Sequence, residues 1–232
     1  MSDVQIKICG LTTAAAVEVA AEAGASHVGF VHFPKSPRHL SADKAARLRE
    51  VVPDGVKVVL LTVDLEPKAT MEILEAVRPD VLQLHGRETP EWLALIKNNS
   101  RLEVWKAVGV RDLATLEGGA RYRDAAHLLL YDAPAGALPG GNGLALDWRL
   151  LIHHRHVLPW GLAGGLNPGN VGDAIRYTGA RLIDTSSGVE SAPGVKDAGL
   201  IRAFCEAACS GWPLALAPGH DRARPQFLPQ PA

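Results

Sequence analysis

Cysteine is scarce in this chain, which has only Cys9, Cys205 and Cys209 among its 232 residues. An odd number of widely spaced cysteines argues against a fold held together by disulfides. The sequence also lacks the CxxC pairs that structural zinc sites require. A histidine-rich segment, residues 153–156, has no carboxylate or thiolate near it in sequence, which favours a solvated helix end over a set of metal ligands. The sequence therefore predicts no bound metal.

The chain also lacks a strong charge of one sign and a long apolar run. Its formal net charge is -1, so it has no general basic field that would attract nucleic acid. No apolar run is long enough to cross a bilayer, and the N-terminal residues do not follow a signal-peptide pattern. We therefore expect no nucleic-acid partner, no membrane association and a cytoplasmic location.

What the sequence does contain is a regular alternation of strand-like and helix-like segments. Eight such pairs favour a parallel sheet closed into a (β/α)8 barrel, the TIM-barrel fold. The alternative is an open doubly wound sheet, which usually carries a GxGxxG turn after its first strand, whereas residues 9–13 here are CGLTT. We expect one barrel domain over residues 1–209 and, after it, a proline-rich tail over 210–232 that is extended or disordered.

The first strand indicates which side chains point into the barrel. Within residues 4–9 the apolar side chains share one face, and Lys7 and Cys9 share the other. Barrel interiors rarely hold an unpaired lysine, and strand 8 adjoins strand 1 once the barrel closes. We therefore predict that Lys7 pairs with Asp184 and raises the positive potential near Cys9; the alternative is that Lys7 reaches solvent at the bottom of the barrel.

Two turns near the end of the predicted barrel have the chemistry of a phosphate site. Gly164 and Gly165 follow the seventh strand, and Ser187 and Gly188 follow the eighth. Glycines let backbone N–H groups approach an oxyanion closely, and a helix predicted to begin directly after its N-cap, Asn167, adds further donors. The loops after strands 7 and 8 of such barrels often bind phosphate. The alternative is a pair of ordinary tight turns.

Active sites of barrels lie at the C-terminal ends of the strands. That rule selects, together with the loop residue Arg38, the following side chains: Cys9, Asp64, His85, Lys106, Asp132 and Asp184. A cysteine near positive groups can act as a base, and an acid in a closed apolar site can hold a proton and donate it. For Cys9 alone, core packing is the simpler interpretation, and for Asp132 alone, loop capping. Their shared position beside a phosphate site makes them the candidate base and acid.

At this point the sequence is recognisable: it resembles the phosphoribosylanthranilate isomerase family of tryptophan biosynthesis. The matching stretches are KICGLT, GFVHFPKSPR, QLHG, YDAPAG with GGNG, LAGGLNPGNV and DTSSGVE, in that order. They run from residue 7 to about residue 196. Two departures stand out, because Asn142 occupies a position that is usually threonine and His32 one that is usually aromatic or aliphatic.

The resemblance implies an Amadori rearrangement of N-(5-phosphoribosyl)anthranilate, an aldose–ketose isomerisation that needs no cofactor. It implies that Asp132 is the general acid and Cys9 the general base, and that Arg38 pairs with the anthranilate carboxylate. The glycines at 164, 165 and 188, together with Ser187, would bind the phosphate through backbone donors. Possible further pocket residues are Lys7, His85 and Asp184.

Two other functions remain open at this stage. One is the related aminoaldose isomerase of histidine biosynthesis, whose family uses two aspartates, so that Cys9 speaks against it. The other is a barrel that binds phosphosugars without catalysis, against which the intact pair of Cys9 and Asp132 argues. A monomer and a homodimer are both compatible with the sequence.

Overall fold

The computed structural model describes residues 4–134 and 146–211, and within them eight parallel strands close into a barrel. Each strand pairs with the next, and the eighth pairs with the first. Closure confirms the predicted TIM barrel, and the open-sheet alternative is wrong. The strands are β1 Gln5–Cys9, β2 His27–His32, β3 Lys57–Thr62, β4 Val81–Leu84, β5 Glu103–Gly109, β6 Leu128–Asp132, β7 Trp160–Leu162 and β8 Leu182–Thr185.

Helices connect the strands, and most begin where the sequence places a capping residue. The side chains of Thr13, Ser41 and Thr89 each accept a hydrogen bond from a backbone N–H of the first turn, which satisfies a donor that the helix leaves unpaired. The helices are α1 Ala14–Glu22, α2 Ala42–Arg49, α3 Pro67–Val77, α4 Pro90–Asn99, α5 Leu113–Glu117, α6 Arg149–Ile152, α7 Val171–Thr178 and α8 Ala198–Gly211. Short 3-10 segments occupy Gly118–Tyr122 and Ser187–Val189.

Helix α7 begins three residues later than the sequence predicts. Asn167 does accept a hydrogen bond from the backbone N–H of Gly169, at 2.9 Å, but its own N–H donates to the side chain of Asn170, at 2.8 Å. These bonds close a turn over residues 167–170, and Asn170 rather than Asn167 is the N-cap. The turn therefore moves the start of α7 away from the glycine pair that precedes it.

Alternation along the strands sends apolar side chains to both faces of the barrel wall. In β1, Ile6 and Ile8 belong to the large apolar cluster between the strands and the helices, as predicted. The barrel interior holds a second cluster: Val59, Val81, Trp105, Leu128, Leu130, Ala163 and Leu182. Because these side chains fill the interior, the cavity described below lies at the C-terminal ends of the strands.

The histidine-rich segment departs from its prediction as a solvated helix end. His156 is half-buried and stacks on Trp160, with 4.3 Å between ring centroids, and it also contacts Tyr131. Burial lowers the pKa of His156 to about 4, so the ring is a neutral packing group at ordinary pH. The sequence pattern misses this contact because Trp160 lies on a strand that was predicted only from its apolar character.

The region after β8 contains a hairpin that the sequence did not predict. Strands β9 Glu190–Ala192 and β10 Val195–Lys196 pair antiparallel before α8 begins. Helix α8 runs through Gly211, two residues beyond the predicted end of the barrel domain, and the rest of the predicted tail, 212–232, lies outside the described residues. None of the helices in 4–134 and 146–211 is long and apolar enough to cross a membrane.

Candidate active site

The C-terminal ends of the strands surround an open cavity of about 750 Å³, a volume that includes the space at its mouth. Side chains from β1, β4, β6 and β8 meet there, together with the turn after β7. Among the predicted site residues, those that line it are Cys9, Arg38, His85, Asp132, Gly164, Gly165, Asp184 and Ser187. The topology thus collects residues that lie far apart in the chain. Asn142 lies outside the described residues.

Cys9 ends β1, and its environment decides whether its thiol can ionise. The residue is 5% exposed. Directly below it in the strand, Lys7 is fully buried and donates a hydrogen bond to Asp184 Oδ2, with 2.8 Å from Nζ to the oxygen. The structure therefore contains the predicted ion pair, set by the parallel register that places Lys7 opposite Asp184.

Burial and the neighbouring charges shift the pKa of Cys9 in opposite directions. Burial holds the pKa of the thiol above its ordinary value, because it disfavours the thiolate. The positive charges of Lys7 and Lys196 lower this pKa, and the carboxylate of Asp184 raises it. Burial alone would lower the pKa of Lys7, but Asp184 and Cys9 outweigh it and hold that pKa above its ordinary value. Lys7 is therefore a stable cation, and of the neighbouring charges it lowers the pKa of Cys9 the most.

Asp132 ends β6 and is in contact with His85. Its Oδ1 accepts the backbone N–H of Ala133 at 2.8 Å, and its Oδ2 lies 3.3 Å from His85 Nε2. Both side chains are largely buried, and both line the cavity. The carboxyl of Asp132 is therefore held next to an imidazole and faces the space that a ligand would occupy.

The turns after β7 and β8 approach each other at glycine positions. Gly164 has φ 85° and packs on the end of β6, since a Cβ there would lie 2.4 Å from the backbone nitrogen of Ala133. A Cβ at Gly188 would lie 1.9 Å from the carbonyl oxygen of Leu166, so only glycine lets the two turns touch. Gly165 and Ser187 face the cavity, whereas Gly188 does not line it and supports the turn from behind.

Arg38 is held by a residue that the sequence analysis missed. Its Nε and Nη2 donate to the two carboxylate oxygens of Glu190, each at 2.7 Å. Lys196 donates to Glu190 Oε1 at 2.6 Å and to the carbonyl oxygen of Ser186 at 2.8 Å. The glutamate that closes the DTSSGVE stretch was the available signal, but only the hairpin β9–β10 shows that its carboxylate turns back to Arg38.

Two candidates selected by the strand-end rule do not face the cavity. Lys106 is on the outer face of β5, where it donates to Glu88 at 2.9 Å and to the carbonyl oxygen of Gly86 at 2.7 Å. Asp64 accepts the backbone N–H of Arg87. The reason for the first error is strand parity, because Trp105 occupies the inward position next to Lys106. Both residues brace the loop after β4.

Gln83 is a second residue that the sequence analysis passed over. It lies on β4, two positions before His85 on the same face, and it lines the floor of the cavity. The residue is 0% exposed, and its amide oxygen and nitrogen have no hydrogen-bond partner among the residues that the structure describes. The signal in the sequence was a single polar residue among the apolar residues of β4, VLQL.

The fold and this cavity define a class: a TIM-barrel protein with an acid, a thiol and a glycine-rich turn at the C-terminal ends of its strands. Comparison with known proteins then gives the family. The family model for N-(5'phosphoribosyl)anthranilate (PRA) isomerase matches residues 6–207. The chain belongs to this family. The match favours neither the histidine-pathway isomerase nor a barrel without catalysis.

Individual relatives agree with the family model. The N-(5'-phosphoribosyl)anthranilate isomerase of Erythrobacter litoralis is 58% identical over 203 residues, which cover 88% of this chain and 97% of the relative. That of Rhizobium meliloti is 52% identical over 206 residues, covering 88% and 96%. The crystal structure of phosphoribosyl anthranilate isomerase from Thermotoga maritima has a TM-score of 0.82 at 36% identity, covering 89% and 99%. A phosphoribosyl anthranilate isomerase in complex with reduced 1-(o-carboxyphenylamino)-1-deoxyribulose 5-phosphate has a TM-score of 0.80 at 35% identity, with the same coverage.

Proposed function

We propose that this chain converts N-(5-phosphoribosyl)anthranilate into 1-(2-carboxyphenylamino)-1-deoxyribulose 5-phosphate, in L-tryptophan biosynthesis. The observation that carries the proposal is the meeting of Cys9 and Asp132 in one cavity beside the turn at Gly164 and Gly165. This cavity offers a base, an acid and a group of backbone donors for a phosphate. Family membership supplies the substrate for which this combination is suited.

The acid step uses Asp132. Its proton passes to the ring oxygen of the ribosyl group, the bond from C1 to that oxygen breaks, and the anthranilate nitrogen supplies the electron pair that forms a protonated Schiff base. The contact with His85 holds the carboxyl in place for this transfer. A positioned general acid contributes about 100-fold to 10,000-fold in rate, which is the effect assigned to Asp132.

The base step uses the thiolate of Cys9. It removes the proton from C2, and the electron pair of that bond flows to the Schiff base and gives an enolamine. A proton then moves from the C2 hydroxyl to C1, which leaves the ketone, and return of one proton from Cys9 to Asp132 through solvent resets the pair. The substrate's own iminium accepts the electrons, so positioned acid and base groups are sufficient.

The two charged ends of the substrate fix its direction in the cavity. We assign the phosphate to the backbone donors around Gly164, Gly165 and Ser187, with Gly188 as support. We assign the anthranilate carboxylate to Arg38, whose guanidinium has five N–H groups, more than the two that Glu190 engages. Glu190 fixes the plane of the guanidinium, which suits a bidentate carboxylate contact.

The test is turnover of N-(5-phosphoribosyl)anthranilate, followed as loss of the substrate's fluorescence. Cys9→Ser and Asp132→Asn should each lower kcat by at least about 100-fold, because each removes one proton-transfer group. Cys209→Ser, an exposed cysteine on α8, is the matched control and should be as active as the wild type. Activity that survives both substitutions would show that the roles are wrongly assigned, and turnover of the histidine-pathway substrate instead would identify the other isomerase.

A thiol that acts as a base must stay reduced, which is the state that the cytoplasm maintains. We therefore propose the cytoplasm as the compartment in which the chain works. The proposed small-molecule partner is the phosphosugar substrate, and both a monomer and a homodimer are consistent with a cavity built within one chain.

A further inference from the structure

Gln83 presents to the cavity an amide that has no hydrogen-bond partner in the described part of the chain. Its amide is fully buried, it lines the cavity floor, and neither its oxygen nor its nitrogen is bonded to any residue in 4–134 or 146–211. Buried polar side chains are nearly always hydrogen-bonded, so each exception requires a reason. One such reason is that the side chain forms its hydrogen bonds with a bound ligand.

The neighbouring strands explain why the fold itself cannot satisfy this amide. The parallel register places Leu61 and Trp105 on either side of Gln83. Leu61 has no polar atom, and the indole N–H of Trp105 donates to Glu103, at 2.9 Å, near the beginning of β5. The amide therefore contributes nothing to the strand pairing around it, and an apolar side chain of equal length would suit the interior better.

The chemistry of the amide limits what it can bind. It offers two N–H donors and an acceptor oxygen at a single site, without charge. A phosphate or carboxylate would leave the oxygen facing another anion, and those groups already have the glycine turns and Arg38. A hydroxyl group both donates and accepts, and two neighbouring hydroxyls match both ends of the amide.

We propose that Gln83 binds a hydroxyl group of the pentose chain and so fixes the rotation of the reacting carbon toward Cys9. The inference rests on the proposed function, since it takes the phosphosugar as the ligand. Gln83 lines the same cavity as Cys9 and Asp132, between which the reacting carbons of the substrate would lie. A substrate held only by its phosphate and its carboxylate retains rotation about its central carbons, and one hydrogen bond to a hydroxyl removes it.

The first experiment replaces the amide without changing its length. Gln83→Met should lower kcat/KM by about 10-fold to 100-fold, while thermal stability stays equal or rises because an unpartnered amide leaves the core. The control is Gln5→Met, an exposed glutamine at the other end of the barrel, which should leave both quantities unchanged. If Gln83→Met keeps kcat/KM within about twofold of the wild type, the inference is overturned, whereas the proposed function fails only if the wild type shows no turnover.

The second experiment keeps the inference testable if Gln83→Met does not fold. The parent ligand is the reduced form of 1-(o-carboxyphenylamino)-1-deoxyribulose 5-phosphate. Its affinity is compared with the affinities of three analogues, which lack the hydroxyl at C2, C3 or C4. The wild type should lose about 10-fold in affinity for one of the three, and Gln83→Ala should not distinguish that analogue from the parent. Equal losses in the wild type and in the variant for all three analogues contradict the assignment.

Discussion

Lys7 and Asp184 form the buried ion pair beneath Cys9, and removing one partner should destabilise the fold far more than removing both. The side chains are 0% and 9% exposed and 2.8 Å apart. Breaking such a pair leaves one uncompensated charge in the core, which costs about 3–5 kcal/mol of unfolding free energy. We therefore expect Lys7→Met and Asp184→Asn each to lose about 3 kcal/mol or more at pH 7, and the double variant to lose less than the two losses added together.

The pH dependence of each single variant identifies the charge that is left behind. In Lys7→Met, burial holds the pKa of Asp184 high, so the folded protein takes up a proton more readily than the unfolded chain does. Lowering the pH then favours the folded state, so the variant's loss of unfolding free energy relative to the wild type becomes smaller. In Asp184→Asn, burial without the carboxylate partner lowers the pKa of Lys7, so the folded protein releases a proton more readily than the unfolded chain does. The variant's loss of unfolding free energy relative to the wild type therefore becomes smaller as the pH rises.

The assay is urea denaturation followed by circular dichroism at pH 5, pH 7 and pH 9, with kcat/KM measured on the same preparations. Activity should fall in the two variants that lack Lys7, because the Lys7 cation lowers the pKa of Cys9, whereas the Asp184 carboxylate raises it. Two outcomes would refute the reasoning. One is a loss below about 1 kcal/mol in both single variants, as for an exposed ion pair, and the other is a pair of stability losses that do not change with pH.

Two further predictions concern buried ionisable side chains, Glu190 and His27. Glu190→Gln should raise KM by about tenfold in steady-state assays, because Arg38 loses a charged bidentate partner. The control is Glu206→Gln, on the exposed face of α8, which should leave KM unchanged. An unchanged KM in Glu190→Gln would show that Arg38 does not bind the substrate. His27, buried at the bottom of the barrel, has a pKa lowered by burial from 6.5 to about 4, so the unfolded chain takes up its proton first as the pH falls. Unfolding free energy should therefore decrease by up to about 3 kcal/mol between pH 6.5 and pH 4, and His27→Gln should show a shallower decrease in denaturant titrations; equal slopes would contradict the assignment.

The sequence was sufficient for those features that depend on local periodicity. Apolar alternation located the eight barrel strands, and capping residues such as Thr89, followed by a proline, located helix starts to within a residue. The same approach placed the start of α7 too early, because a turn between Asn167 and Asn170 competes with the helix for the same side chains. Lys106 was selected as a strand-end residue because the rule ignores which face of the strand it occupies.

The site residues that sequence analysis missed have a common property. Gln83 is informative only because the described residues around it offer no hydrogen-bond partner. Glu190 is informative only because the hairpin returns its carboxylate to Arg38, 152 residues earlier in the chain. Neither fact is contained in residue type or spacing. Both are statements about which groups remain unsatisfied or become paired after the barrel has closed.

Charged side chains from three parts of the chain, β1, the loop after β2 and the stretch from β8 to β10, lie around Cys9. Lys7 on β1, Arg38 in the loop after β2 and Lys196 on β10 are cations, and they share two carboxylates, those of Asp184 and Glu190. Within this described cluster the positive charges exceed the negative ones, so an anion at Cys9 completes it. Burial raises the pKa of the thiol above its ordinary value, and the positive charges of Lys7 and Lys196 oppose part of that rise. The base strength of Cys9 thus depends on the cations beside it, and substituting Lys7 or Lys196 should weaken Cys9 as a base without removing a group that we assign to substrate binding.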